Sequence, residues 1–133
     1  MSKMKDAGFT LVEVMVASLI LVLVTSGIIG GIISALKAQA NASDHYRANC
    51  IARNRVQHAR TLAFDSFSLL AESNRMVDSD GNLSSTGEFL RTTIATNVAT
   101  NSMNITVKVW YQVSPGTFCD QPVQIQTMIA NGM

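Results

Sequence analysis

The stretch KMKDAGFTLVEVMVASLILVLV, residues 3–24, sets a single carboxylate, Glu13, near the start of a run of membrane-grade apolar residues. From Val14 to Leu36, 23 positions, no charged residue occurs. Wound as a helix rising about 1.5 Å per residue, such a run crosses a hydrocarbon core of about 30 Å. Lys3 and Lys5 flank its leading end and predict that this end stays in the cytoplasm. A secretory signal would show an apolar region of only about 7–15 residues followed by an A-x-A-like cleavage site. The apolar region here is longer and no such site follows it, so the remainder is expected to be exported while staying anchored.

Glu13 needs a reason to be where it is. A carboxylate deep in a membrane helix costs about 2.5–3.5 kcal/mol on insertion scales and is ordinarily kept for a partner. A cut just before Phe9 would create an α-amino group four residues from Glu13, mostly cationic near neutral pH. Cation and anion could then neutralise each other within one chain or between neighbours, at much lower cost than burying either alone.

The basic leader, Gly8, Phe9 and Glu13 stand in one register, and GFTLVEVMVA resembles the prepilin signal of type IV pilins and of the pseudopilins of type II secretion systems. The resemblance implies that prepilin peptidase cuts after Gly8 on the cytoplasmic side and N-methylates the new first residue, Phe9. Glu13 becomes the fifth residue of the mature chain, where the family uses a glutamate to meet the amino terminus of an adjacent subunit during assembly. The partners so implied are prepilin peptidase, other pilins or pseudopilins and an inner-membrane assembly platform. The alternative on the residues alone is a plain anchor with Glu13 at the headgroup boundary.

Residues 9–36 are thus expected to be a transmembrane and filament-core helix behind a cleaved leader of residues 1–8. Gly27 and Gly31 stand four apart, the spacing that lets membrane helices approach closely. They serve either close packing and local melting in a filament core or are glycines tolerated in a lipid-facing helix. Helical character continues through residues 37–65 as an amphipathic segment with Ala35, Ala38, Ala42, Ala52, Val56, Ala59 and Ala63 on one stripe, interrupted by His45 and Asn49. Asp65 to Phe67 is the expected stop. Residues 73–87, SNRMVDSDGNLSSTG, are expected to be a turn-rich connection. Three β-patterned runs follow: EFLRTTIATNV, MNITVKVWYQV, in which Ile105, Val107 and Val109 oppose Thr106, Lys108 and Trp110, and PVQIQTMIA. NSMN and SPGTFCDQP supply turns for an antiparallel meander. A domain of residues 66–133 is too small for a large core of its own, so one sheet face must pack on the helix. The expected fold is α+β and pilin-like: a long amino-terminal helix, membrane-spanning in its first half, packed on a small antiparallel sheet.

Other chemistry finds little footing. The chain is 14% charged with a net charge of +1, so no basic surface points to nucleic acid. DSDGN, residues 78–82, invites a calcium reading, but the sixth and twelfth positions of the loop template are Leu83 and Phe89 instead of glycine and glutamate. His45, Cys50 and His58 lack i, i+4 spacing, so no metal is expected, and no cofactor. No nucleophile elbow, phosphate loop or zinc-protease motif occurs, so no enzyme is expected. Cys50 and Cys119 allow one disulfide at most, in an oxidising periplasm; a bridge and two separate thiols both stay open. The expected role is a structural subunit, a minor pilin or pseudopilin of a type IV pilus or type II secretion filament, residing first in the bacterial inner membrane with its carboxy-terminal domain periplasmic. The 14 residues after Cys119 are fewer than the family's abundant pilins often carry, which favours the minor role. The alternative is a single-pass anchored periplasmic binding protein that never assembles.

Overall fold

The computed structural model describes residues 8–130, apart from the side chain of Asp65. The leader residues Lys3, Lys5 and Asp6 lie outside them. Helix α1 runs Leu11–Thr61, and a 3₁₀ turn follows at Phe64–Leu70. Five strands complete the chain: β1 Glu72–Val77, β2 Phe89–Ala99, β3 Ser102–Ser114, β4 Thr117–Phe118 and β5 Val123–Ala130. The chain divides into two compact units between Gln39 and Ala40.

In the first unit every described side chain is exposed, and the exposure continues to Ser43. The apolar sequence of this segment makes it a helix long and apolar enough to cross a membrane, with none of its apolar window buried. Three of its hydroxyls are satisfied by the helix itself. Ser18 Oγ donates to Met15 O at 2.8 Å, Thr25 Oγ1 to Leu21 O at 2.9 Å, and Ser26 Oγ to Val22 O. Hydroxyls bonded back in this way need no water, which is what a hydrocarbon surrounding demands.

The second unit holds the whole described core. β2, β3 and β5 pair antiparallel, with β1 on the outer side of β2. β4 is a short hairpin return from β3 across Pro115 and Gly116, on the side of β3 that β5 then takes up. Alternation along the strands sends Phe89, Arg91 and Thr93 of β2, Met103, Ile105, Val107 and Val109 of β3, and Val123 of β5 to one buried face. Ala48, Ile51, Ala52, Val56 and Ala59 of α1 cover that face, so helix and sheet share one core. Three of these five residues are alanine, small enough to bring the helix backbone close to the sheet. Phe67 and Leu70 of the 3₁₀ turn join the same core, with Phe64 and Phe67 edge to face at 5.5 Å between centroids. On the opposite face Met76 pairs with Leu90 and Leu90 with Trp110, an apolar row across three strands.

The three expected strands lie within a residue of their observed bounds, and the inward set Ile105, Val107 and Val109 is fully buried. The helix stripe is corrected. Ala35, Ala38, Ala42 and Ala63 are exposed, whereas Ala48 and Ile51, outside the stripe, are buried. Packing begins only where the sheet is available to pack on, so an alanine pattern ahead of it has nothing to cover. The helix also ends at Thr61, ahead of Asp65, and the 3₁₀ turn takes the intervening residues because Phe67 and Leu70 are drawn into the core. The connection expected over residues 73–87 in fact opens with β1. Within it only Val77 is buried, so the strand shows no apolar alternation from which it could be read.

Two local devices hold this end of the domain. Arg91, 6% exposed, lies in the core face and must be neutralised there. It donates Nε to Glu72 Oε1, Nη2 to Glu72 Oε2 at 3.4 Å and Nη1 to Gly81 O at 2.7 Å. Glu72 Oε1 also accepts Thr93 Oγ1 at 3.1 Å and meets Arg55 Nη2 at 3.3 Å. Arg55 in turn donates to Leu70 O at 3.2 Å. Burial, and then the neighbouring Arg91 charge, lower the Arg55 pKa from its ordinary value, while Glu72 opposes them. The second device is the loop after β1. Asp78 Oδ1 accepts the backbone N–H of Asp80 at 3.0 Å and of Asn82 at 2.9 Å, and Gly81 sits at φ +86°. An aspartate closing its own turn and a glycine with positive φ are the residue types such a loop requires. Gly87 meets a different demand: an added Cβ would overlap the Val77 carbonyl.

Candidate assembly site at the amino-terminal segment

Gly8, Phe9 and Thr10 precede α1, all exposed, with Phe9 at 81%. Thr10 starts the helix. Its carbonyl accepts Glu13 N at 3.0 Å and Val14 N at 3.2 Å, and its Oγ1 accepts Glu13 N at 3.3 Å. Thr10-x-x-Glu13 is the sequence signature of a capping box, a signal that was available in the sequence. Only half of the box is made: the Glu13 side chain returns no hydrogen bond to Thr10. Among the described residues the Glu13 carboxylate has no hydrogen-bond or ion-pair partner. It lies in the first turn, where the helix dipole favours an anion. Among the described residues no hydrogen bond at the helix start uses that carboxylate.

The glycines carry the same message. A Cβ at Gly8 would meet nothing within 4 Å, and the same holds at Gly27, Gly30 and Gly31. None of these positions is small because of a close neighbour among the described residues. Among the described residues nothing makes a steric demand for glycine at residue 8, and Gly27 and Gly31 leave the helix surface shallow for whatever lies against it.

The remaining residues singled out from sequence do not converge. Cys50 and Cys119 are half-buried free thiols, and Cys119 Sγ donates to Gln121 O at 3.2 Å. His45 stands edge-on to Tyr111 with ring centroids 6.1 Å apart, while His58 borders a recess with Arg55 and Asp80. No group of three or more histidine, cysteine, aspartate or glutamate side chains is placed to hold a metal among the described residues. Sequence patterns missed the Arg55–Glu72–Arg91 cluster, because three charges 17 and 19 residues apart carry no local signature. The family model of the prokaryotic N-terminal methylation motif matches residues 3–29. No curated protein and no solved structure matches the chain.

Proposed function

From the premise that this chain is a type IV pilin-like protein carrying the N-terminal methylation motif, we propose that it is a minor pilin or pseudopilin that assembles through the first half of α1. Proteins of that family are structural subunits and not enzymes, and the motif implies processing by prepilin peptidase. The apolar helix and the motif together make the inner membrane its anchoring site before assembly. In the proposed sequence of events the leader of residues 1–8 is removed after Gly8. Phe9 becomes the N-methylated first residue, and residues 9–36 cross the membrane with the remainder periplasmic. Residues 37–133 then form the exported part, the remainder of the helix and the sheet domain. An assembly platform in the membrane would move the subunit from lipid into the filament.

The observation that carries this proposal is the unpartnered Glu13 carboxylate, among the described residues, at the head of a helix segment whose side chains are all exposed. Lipid covers such a surface in the monomer, and neighbouring helices cover it in a filament. There Glu13 of one subunit would compensate the Phe9 ammonium of the next.

The test has two arms. Mass spectrometry of the chain from its native membrane should find N-methyl-Phe9 as the first residue, with Lys3, Lys5 and Asp6 removed. Glu13→Leu should be cleaved and anchored at least as well as wild type, because it relieves the insertion cost. It should fail to co-assemble, since one charge of a buried pair left alone costs about 3–5 kcal/mol. A native chain retaining its leader, or Glu13→Leu incorporated at wild-type levels, would favour a plain anchored protein.

A further inference from the structure

The two long edges of the sheet are not alike. β1 is guarded: its register breaks between Glu72 and Arg75, Asn74 stands at φ 47°, and the strand carries both charges. β5 has none of these protections. Its eight residues, VQIQTMIA, contain no charge, proline or glycine, and pair with β3 without a register break from Val109↔Val123 to Ser102↔Ala130. An uncharged, regular strand whose other edge has no strand partner among the described residues is a template for a further strand. Gln124, Gln126 and Met128 of β5 are exposed, while Ile125, Thr127 and Ile129 are half-buried on the helix side.

Beside that edge lies a groove of about 430 Å³ between β5 and α1, with Val56 and Ile125 among its walls and Arg53 and Arg60 along it. Arg60 Nη2 donates to Thr127 Oγ1 at 3.2 Å, a neutral acceptor. Among the described residues neither Arg53 nor Arg60 has a carboxylate within ion-pair distance. The geometry points to β5 and this groove as a docking site for an extended strand of a different polypeptide, bearing carboxylates on its groove-facing side.

Strand addition would supply the backbone hydrogen bonds, and alternate side chains would enter the groove. Arg53 and Arg60 are seven helical residues apart, about 10.5 Å, and carboxylates at i and i+4 of a strand are about 13 Å apart. Long arginine side chains close that difference. An apolar residue at i+2 would then rest on Val56 and Ile125. A second copy of this chain fits poorly: its β5 brings no carboxylate, and two-fold pairing would set the arginines of both copies against each other. None of this depends on whether the amino-terminal segment enters a filament.

The probe is an acetylated, amidated heptapeptide, Thr-Glu-Thr-Val-Thr-Glu-Thr, added to the ¹⁵N-labelled full-length chain in detergent micelles. Slowed amide exchange and shifted resonances are expected along β5 and at Arg53 to Arg60. The peptide with lysine in place of glutamate should bind about three- to tenfold more weakly, the scale of two exposed ion pairs. Arg53→Glu with Arg60→Glu should reverse that order. An acidic peptide N-methylated at alternate amides should not bind. Unperturbed β5 amides at about 5 mM peptide, enough to fill most of a millimolar site, would overturn the assignment. So would equal binding of the lysine peptide, or protection of β5 that rises with protein concentration in the absence of peptide, which would assign the edge to a second copy.

Discussion

Two glutamates show how differently a single residue can be read. Glu13 stands out in the sequence because its surroundings are uniformly apolar, and the methylation motif gives it a register. Glu72 sits in a polar stretch that looks like loop, yet it accepts from Arg91 and Thr93, forms an ion pair with Arg55, and joins β1, β2 and α1. Its side chain is 13% exposed, and those of Arg91 and Arg55 are 7% and 18% exposed. Glu72→Gln leaves two guanidiniums facing each other in a mostly dry site with no anion between them. The expected loss is about 3 kcal/mol or more, the lower end for breaking a buried pair. At about 4 °C per kcal/mol or more for a domain of this size, the melting temperature should fall by at least about 12 °C. Fluorescence of Trp110, the single tryptophan, reports the transition. An unchanged melting temperature would show that the cluster contributes geometry without stability.

At the scale of elements, the helix and the three long strands announce themselves through period, whereas β1 does not. Four of the six β1 side chains are exposed and only Val77 is buried, so pairing with β2, and no pattern of its own, makes ESNRMV a strand. The loop that returns from β1 is held by Asp78, whose pKa is lowered from the usual carboxylate value. The Asn82 backbone N–H is the largest cause, followed among the stabilising bonds by that of Asp80 and by the Asn82 side chain. A depressed native pKa means that the ionised form favours the folded loop. That contribution is fully present above the ordinary aspartate pKa and is lost as pH falls through the lower native value. Amide resonances of Asp80 and Asn82 should therefore titrate with a midpoint below the ordinary range, and Asp78→Asn should remove that titration. A midpoint at or above the ordinary value would mean that these bonds do not hold the loop in solution.

At the scale of the whole molecule, every buried core residue among those described lies between Ala48 and Val123, inside the unit that begins at Ala40. Residues 40–133 alone should therefore be soluble and unfold in one cooperative transition followed by Trp110, because the helix that covers the sheet is retained. Val107→Asp in that fragment should abolish the transition, since a fully buried aliphatic worth about 1.5–3 kcal/mol would be exchanged for a buried charge. A fragment that melts without cooperativity would show that the first unit is needed for the fold. The sequence by itself determined the apolar helix, the processing motif and the alternating strands, because a solvent that favours apolar contact writes its period directly into neighbouring residues. It also sufficed to demand that a sheet this small pack on the helix. Only the tertiary structure decided which helix residues do the covering, that β1 is a strand, and that Arg55, Glu72 and Arg91 form one cluster. It alone left β5 open beside two arginines that have no carboxylate partner among the described residues. These features depend on residues far apart in the chain, whose burial and charge balance exist only once the elements have met.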